Sequence, residues 1–280
     1  STYGTGPAYQ SIADGPVLMD LSTRGTTSTG NSVLIGGFII QGSQPAQVVV
    51  RCLAGSLASF GVSNALFDSV IELYDANNNL IASNDDWFTS TDAQTICSYR
   101  RDPPNSIESA LLVTLNPGSY TAIVKSYSDP QQPATGGVAL FEVYDLRTSS
   151  SRLGNVSTRG QVGTGDNILI GGIIVGGNTS KPVVIRALGP TLTQFGVTGV
   201  LQNPYLELRD GNGTLIEAND DWQQSPEAAT IIADGKAPPN VNESAMAPTL
   251  SPGNYTALVS GVGETTGTAL IEIYDESPSP

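Results

Sequence analysis

Histidine is absent from this 280-residue chain, and only 12 residues are Lys or Arg. Without His, the Ser-His and Cys-His nucleophilic pairs and the usual zinc sites are excluded. The 26 acidic residues leave a net charge of -14, which repels phosphate backbones, so nucleic acid is not an expected partner. No apolar run approaches the length of a membrane-spanning helix, and none is expected. Charged residues make up only 14% of the chain. There are two Cys, Cys52 and Cys97. In an oxidising compartment they read as one intradomain disulfide, and otherwise as two free thiols.

Gly (31) and Pro (18) are plentiful, with much Ser, Thr and Asn. This composition suits short strands joined by tight turns and is poor for long helices. The chain begins with Ser rather than Met, which fits removal of a signal segment, and low charge with many Ser, Thr and Asn leans towards an extracellular, secreted protein.

The sequence also repeats itself. Ser22-Thr-Arg-Gly25 returns as Ser157-Thr-Arg-Gly160, and a shift of 135 residues aligns the halves without a gap as far as Val124 and Val259. About half of the aligned positions are identical. Asn84-Asp-Asp-Trp87 matches Asn219-Asp-Asp-Trp222, and Ala139–Asp145 matches Ala269–Asp275 after a slip of five residues. Cys52 and Cys97 have Ala187 and Ile232 as counterparts, so the repeated fold needs neither.

The first copy reads as eight short strands: Val17–Thr23, Val33–Gln41, Gln47–Leu53, Val70–Asp75, Leu80–Asn84, Ser109–Leu115, Tyr120–Ser126 and Val138–Tyr144. Short helical turns are expected at 57–60 and 92–97, and again at 192–195 and 227–232. Turn signals every 8–12 residues predict an all-β fold of two tandem antiparallel β-sandwich (jelly-roll-like) domains related by internal duplication. The expected division is an N-terminal extension 1–16, a first sandwich 17–146, a linker 147–153, a second sandwich 154–276 and a tail 277–280. The Ser-rich joint implies beads with limited freedom. The extension has no counterpart in the repeat; it is expected to lie along its own domain or to add a strand to a neighbouring molecule, with Tyr3, Tyr9 and Ile12 as contact residues.

Asp75 and Asn77 followed by Asp85 and Asp86 place hard oxygen ligands around a hairpin, as Ca²⁺ requires, and Glu108 stands further along. Asp210, Asn212, Asp220, Asp221 and Glu243 repeat the set. The same residues are also ordinary turn and capping residues whose side chains bond their own backbone. Trp87 and Trp222 read as anchors of the hairpin. Arg51 and Arg186 suggest internal ion pairs with repeated acids such as Glu72 and Glu207. Gly36-Gly37 and Gly171-Gly172 lie inside strands, where they mark a bulge or a close backbone approach. Adjacent carboxylates present in both copies, with no other base, do not make a glycosidase, and no enzymatic activity is expected.

The run from Ile71 to Val124, with Glu-Leu-Tyr-Asp-x-Asn, Asn-Asp-Asp-Trp and Leu-Asn-Pro-Gly-Ser-Tyr-Thr, resembles the bacterial pre-peptidase C-terminal (PPC-like) domains. That resemblance implies a secreted β-sandwich module of a kind appended to extracellular enzymes, some of which bind calcium. The longer pattern from Ser22 through Leu34-Ile-Gly-Gly37 and Phe60-Gly-Val62 is similar to tandem repeats in large extracellular bacterial proteins. The expectation is a non-catalytic structural or adhesive protein, a filament subunit that self-associates by strand addition. The alternative is a calcium-dependent module binding carbohydrate or matrix protein.

Overall fold

A computed structural model describes residues 17–27, 33–128, 135–146, 148 and 150–277. Tyr3, Tyr9 and Ile12 lie outside the described residues. The fold is all-β. Strands β1–β8 run Val17–Thr27, Leu34–Gln41, Ala46–Leu53, Ser69–Tyr74, Leu80–Asn84, Ser109–Leu115, Gly118–Ser126 and Gly137–Asp145. They fall on the eight expected strands, except that β1 continues to Thr27. Strands β9–β13 are Arg152–Val162, Leu169–Gly176, Lys181–Leu188, Pro204–Asp210 and Leu215–Asn219. Strands β14–β17 are Ser244–Met246, Thr249–Leu250, Gly253–Gly261 and Gly267–Asp275. Alternation decides the faces: in β2 Leu34, Gly36, Phe38 and Ile40 are buried while their neighbours are half-exposed, and β10 repeats this with Leu169, Gly171, Ile173 and Val175.

The antiparallel ladders form two open rows. One runs β5-β4-β7-β2-β9-β17-β11, with β14 and β15 on the far side of β11. The other runs β6-β3-β8-β1-β10-β16-β12-β13. A single bridge, Thr26 to Gln161, links them. Each row takes strands from both sequence copies, and one buried apolar cluster runs from Leu18 to Ile273. The picture of two beads on a Ser-rich joint is therefore corrected. The halves meet edge to edge as one continuous sandwich, and Arg152 and Leu153 of the expected linker already belong to β9. Joining β1 to β10 and β2 to β9 buries four sheet edges, four rows of N–H and C=O groups that separate sandwiches would leave open.

The repeated motifs build this seam. In one ladder Ser22 faces Gly172 and Arg24 faces Ile170; in the other Ser157 faces Gly37 and Arg159 faces Ile35. A Cβ on Gly37 would stand 2.7 Å from Ser157 Oγ, and one on Gly172 would stand 2.3 Å from Ser22 Oγ. Gly36 makes room for the Phe141 ring, which would lie 2.2 Å from its Cβ. The glycines permit close approach, as their place inside strands suggested. Two surfaces of the same design thus pair with each other inside one chain, the arrangement of an isologous dimer.

The segment between β5 and β6 folds back over the outer face of its half. Its short helix α1 (Ala93–Ser98) buries Ile96 against Trp87 and Ala110. Helix α2 (Ala228–Ala233) buries Ile231 against Trp222 and Ala245. Asp92 stands at the N-cap of α1 without a side-chain capping bond.

Candidate functional site

The Asp/Asn hairpins are turns closed on themselves. Asp75 Oδ1 accepts the N–H groups of Asn77 (2.8 Å) and Asn79 (2.9 Å), and its Oδ2 accepts Asn79 Nδ2 (2.9 Å). The Asn79 side-chain bond first, then the backbone bonds, hold the Asp75 carboxyl below its usual range. Asp210 accepts Asn212 and Thr214 N–H at 2.9 Å each, with the same downward effect. The backbone explains why: Asn78 (φ 60°) and Gly213 (φ 81°) occupy the left-handed position of each turn.

Asp85 accepts the N–H of Asp86, and Asp221 accepts Gln224 Nε2. Burial, then the neighbouring Asp85 charge, pushes the Asp86 carboxyl up. Glu108 and Glu243 are fully buried and serve another purpose. Glu108 Oε1 accepts Ala54 N–H (2.6 Å), Ser56 N–H (3.0 Å) and Ser56 Oγ (2.6 Å), and its Oε2 accepts Asn105 N–H (3.2 Å). Glu243 ties Gly189, Thr191 and Asn240 in the same way. Each fastens the 3₁₀ turn after the third strand of its half (Gly55–Phe60, Pro190–Phe195) to the turn before the edge strand. Among the described residues no three Asp, Glu, Cys or His side chains are gathered as a metal requires. The calcium expectation for Asp75, Asn77, Asp85, Asp86, Glu108 and their repeats gives way to turn closure and buried anchoring.

The disulfide is also corrected. Cys52 and Cys97 are both free, the first buried in the core and the second exposed. Arg51 pairs not with Glu72 but with Glu142 on the neighbouring β8, and Arg186 with Glu272 on β17. Glu72 takes Lys125 instead, and Glu207 takes Arg209. Arg51 also donates to Tyr144 Oη (2.8 Å), whose ring lies 4.4 Å below the Arg101 guanidinium. Burial first, then the Glu142 charge, raises the Asp20 carboxyl well above its usual range in this cluster.

What remains open is the periphery. Among the described residues each row ends in an edge strand: β5 and β6 at one end of the sandwich, β13 and β14–β15 at the other. Between β5 and β6 lies a groove of about 480 Å³ lined by Ile81, Leu112, Val113, Leu115 and Tyr120, with Asp75 at its rim. Leu80, Ile81, Leu215 and Ile216 are exposed on β5 and β13. A second groove of about 460 Å³ crosses the seam, with Ile35, Ser157, Arg159 and Leu270 on its floor and Leu192 and Phe195 at its side. Phe195 is 77% exposed and its counterpart Phe60 is 74% exposed, each at the end of its 3₁₀ turn.

No family model matches this chain, and no curated protein matches it. Among solved structures it is similar to a DUF4785 family protein from Legionella pneumophila (9% identity, 95% of this chain and 85% of that one, TM-score 0.23). It is also similar to the STIV MCP (10% identity, 95% and 92%, TM-score 0.23). PNGF-II matches at 10% identity over 94% of this chain and 58% of its own, again at a TM-score of 0.23. Likeness at that level carries no argument about fold or function.

Proposed function

We propose that the protein is a non-catalytic, secreted structural subunit that self-associates into an extracellular filament or surface assembly by strand addition through residues 1–16. The observation that carries this reading is that, among the described residues, each end of the sandwich has an unpaired strand edge, while the edges at the seam pair with each other. An exposed edge is a row of unmet donors and acceptors that an extended segment satisfies. Electron microscopy and light scattering of the full chain, beside a chain lacking residues 1–16, test it. Ordered assemblies from the first and none from the second, with both equally folded, are expected; assembly that survives the deletion rejects the reading.

The seam groove favours a second reading, a module that binds carbohydrate or another surface ligand without calcium. Phe195 presents an exposed ring beside Arg159, which has no hydrogen-bond acceptor among the described residues. A flat sugar face stacks on such a ring. Phe195→Ala should abolish retention on a polysaccharide array; an array that retains nothing removes this reading.

A further inference from the structure

We propose that the two ends of the sandwich are not equivalent: the free edge of β6 accepts residues Ala8–Asp14 of a second copy, and the corresponding edge β14–β15 is closed to them. This inference rests on the strand-addition reading above and assigns it a partner surface and a polarity.

The parity of β6 shows what it offers. The Ala110 N–H points away from β3, because it donates to Asn84 Oδ1 (2.9 Å). Successive N–H groups of a strand point to opposite edges, so those of Leu112 and Thr114 point the same way. Neither has a hydrogen-bond partner among the described residues, and β6 pairs only with β3 there. The strand is seven residues long and unbroken, and its outward edge is free beyond Ala110, at Leu112 and Thr114. Beside it lies a groove lined by Ile81, Val113 and Tyr120 together with the polar Thr114 and Asn116, so an added strand would gain mixed side-chain contacts as well as ladder bonds.

The second half has the same ancestry and a different edge. Pro248 stands where β6 has Val113, and Ala247 where it has Leu112. The strand is split there into β14, three residues, and β15, two residues. Pro248 still accepts Val183 N–H through its carbonyl but has no N–H to return, and its fixed φ interrupts the ladder. The missing N–H faces β11, so the effect on the outer side is the break itself: two pieces of three and two residues are too short to template an added strand, and the shorter Ala247 leaves less apolar surface.

The occupant follows from the chain itself. Residues 1–16 precede β1. Only Gly15 and Pro16 separate Asp14 from Val17, three residue steps that span at most about 11 Å. From β1 to β6 of the same sheet is three strand spacings, through β8 and β3, or about 14 Å. Ala8–Asp14 is therefore tethered too closely to β1 to lie along β6 of its own sheet, and the acceptor is the β6 of a second copy. Pro7 and Pro16 bracket Ala8–Gly15, a proline-free stretch of eight residues, one more than the seven of β6.

Hydrogen exchange of the full chain, assembled and dissociated, tests the assignment amide by amide. Assembly should slow exchange at Leu112 and Thr114 by at least about tenfold and leave 245–250 unchanged. Val113→Pro, which imports the break of the second half, should stop assembly. Thr114→Lys places a charge at an exposed edge position and should do the same without a backbone change, while Pro248→Val should not impair assembly. Assembly that needs residues 1–16 but protects 245–250 or β13 overturns the acceptor assignment and leaves the strand-addition reading standing. Protection of β6 in the dissociated chain places the segment on its own molecule and overturns the second-copy occupant. Assembly without residues 1–16 rejects the underlying reading itself.

Discussion

Gly25 and Gly160 face the same two leucine side chains. A Cβ on Gly25 would stand 2.9 Å from Leu34 Cδ1 and 3.0 Å from Leu169 Cδ1; on Gly160 it would stand 3.0 Å from Leu169 Cδ1 and 3.1 Å from Leu34 Cδ1. Leu34 belongs to the first half and Leu169 to the second, so the two copies share a core at this point. Gly25→Ala and Gly160→Ala should each cost about 1–3 kcal/mol by overpacking. Because both act on the same leucine pair, the double variant should depart from the sum of the singles by about 0.5 kcal/mol or more. Denaturant unfolding measures this, and the wild-type chain should melt in one transition. Two separated transitions, or strict additivity, would contradict a shared core.

Glu108 is a second point where the repeat has a physical cause. Its buried carboxylate collects donors from Ala54, Ser56 and Asn105. Glu108→Ala strands those donors in a dry site and should cost about 3–5 kcal/mol, and Glu243→Ala should cost a similar amount. Asp75→Ala, at an exposed turn, should cost much less. Thermal melts of the three variants, with and without added calcium, check the order; a calcium-dependent rise in wild-type Tm would reinstate a metal role for the hairpins.

Much of this was legible in the chain, and the parts that were not share a reason. Alternation in Val70–Tyr74 and turn residues such as Pro117-Gly118 are local, so strands and turns followed from neighbours in sequence. The repeat of Ser-Thr-Arg-Gly and Ile-Gly-Gly was visible too, but not that each packs against the other across the seam. Period-two patterning says which face is buried and is silent on which edge meets which. The same limit explains Arg51: Glu72 and Glu142 are both repeated acids, and only the β3–β8 register puts Glu142 beside it. A carboxylate that closes a turn and one that holds calcium use the same letters. The direction of Asp75 towards Asn77 and Asn79 N–H separates them, and spacing does not encode that direction. Phe60 and Phe195 were the reverse case, apolar residues whose exposure sequence pattern gives no reason to expect.

The cysteines give a direct count. Cys97 is exposed on α1, whereas Cys52 lies wholly inside the core, where burial pushes its thiol far above the usual range. A thiol reagent should label one cysteine in the native protein, at Cys97, and both after denaturation. Labelling of neither, even in denaturant without reductant, would establish a disulfide.

Glu217 and Asp20 each contribute to the pH dependence, and the repeat supplies the control for one of them. Burial, then the neighbouring Glu227, raises the Glu217 carboxyl to about 7. A folded-state value raised above the unfolded one means that the native state holds its proton longer. The stability is therefore complete below the unfolded value of about 4.3 and declines as pH rises towards about 7. Glu217→Gln should leave Tm unchanged near pH 4 and raise it at pH 8. Asp20 has the same sign, and its Oδ1 is buried without a hydrogen-bond partner. The equivalent position in the second half is Asn155, although Arg186, Glu272 and Tyr274 repeat the rest of the cluster. Asp20→Asn therefore installs the solution the second half already uses. It should stabilise the chain at pH 7 by on the order of 1 kcal/mol, with the gain shrinking towards pH 4. A loss of stability at pH 7 would mean that the Asp20 charge is compensated by Arg51 and Arg101 after all, and that the asymmetry between the two clusters serves the fold rather than burdening it.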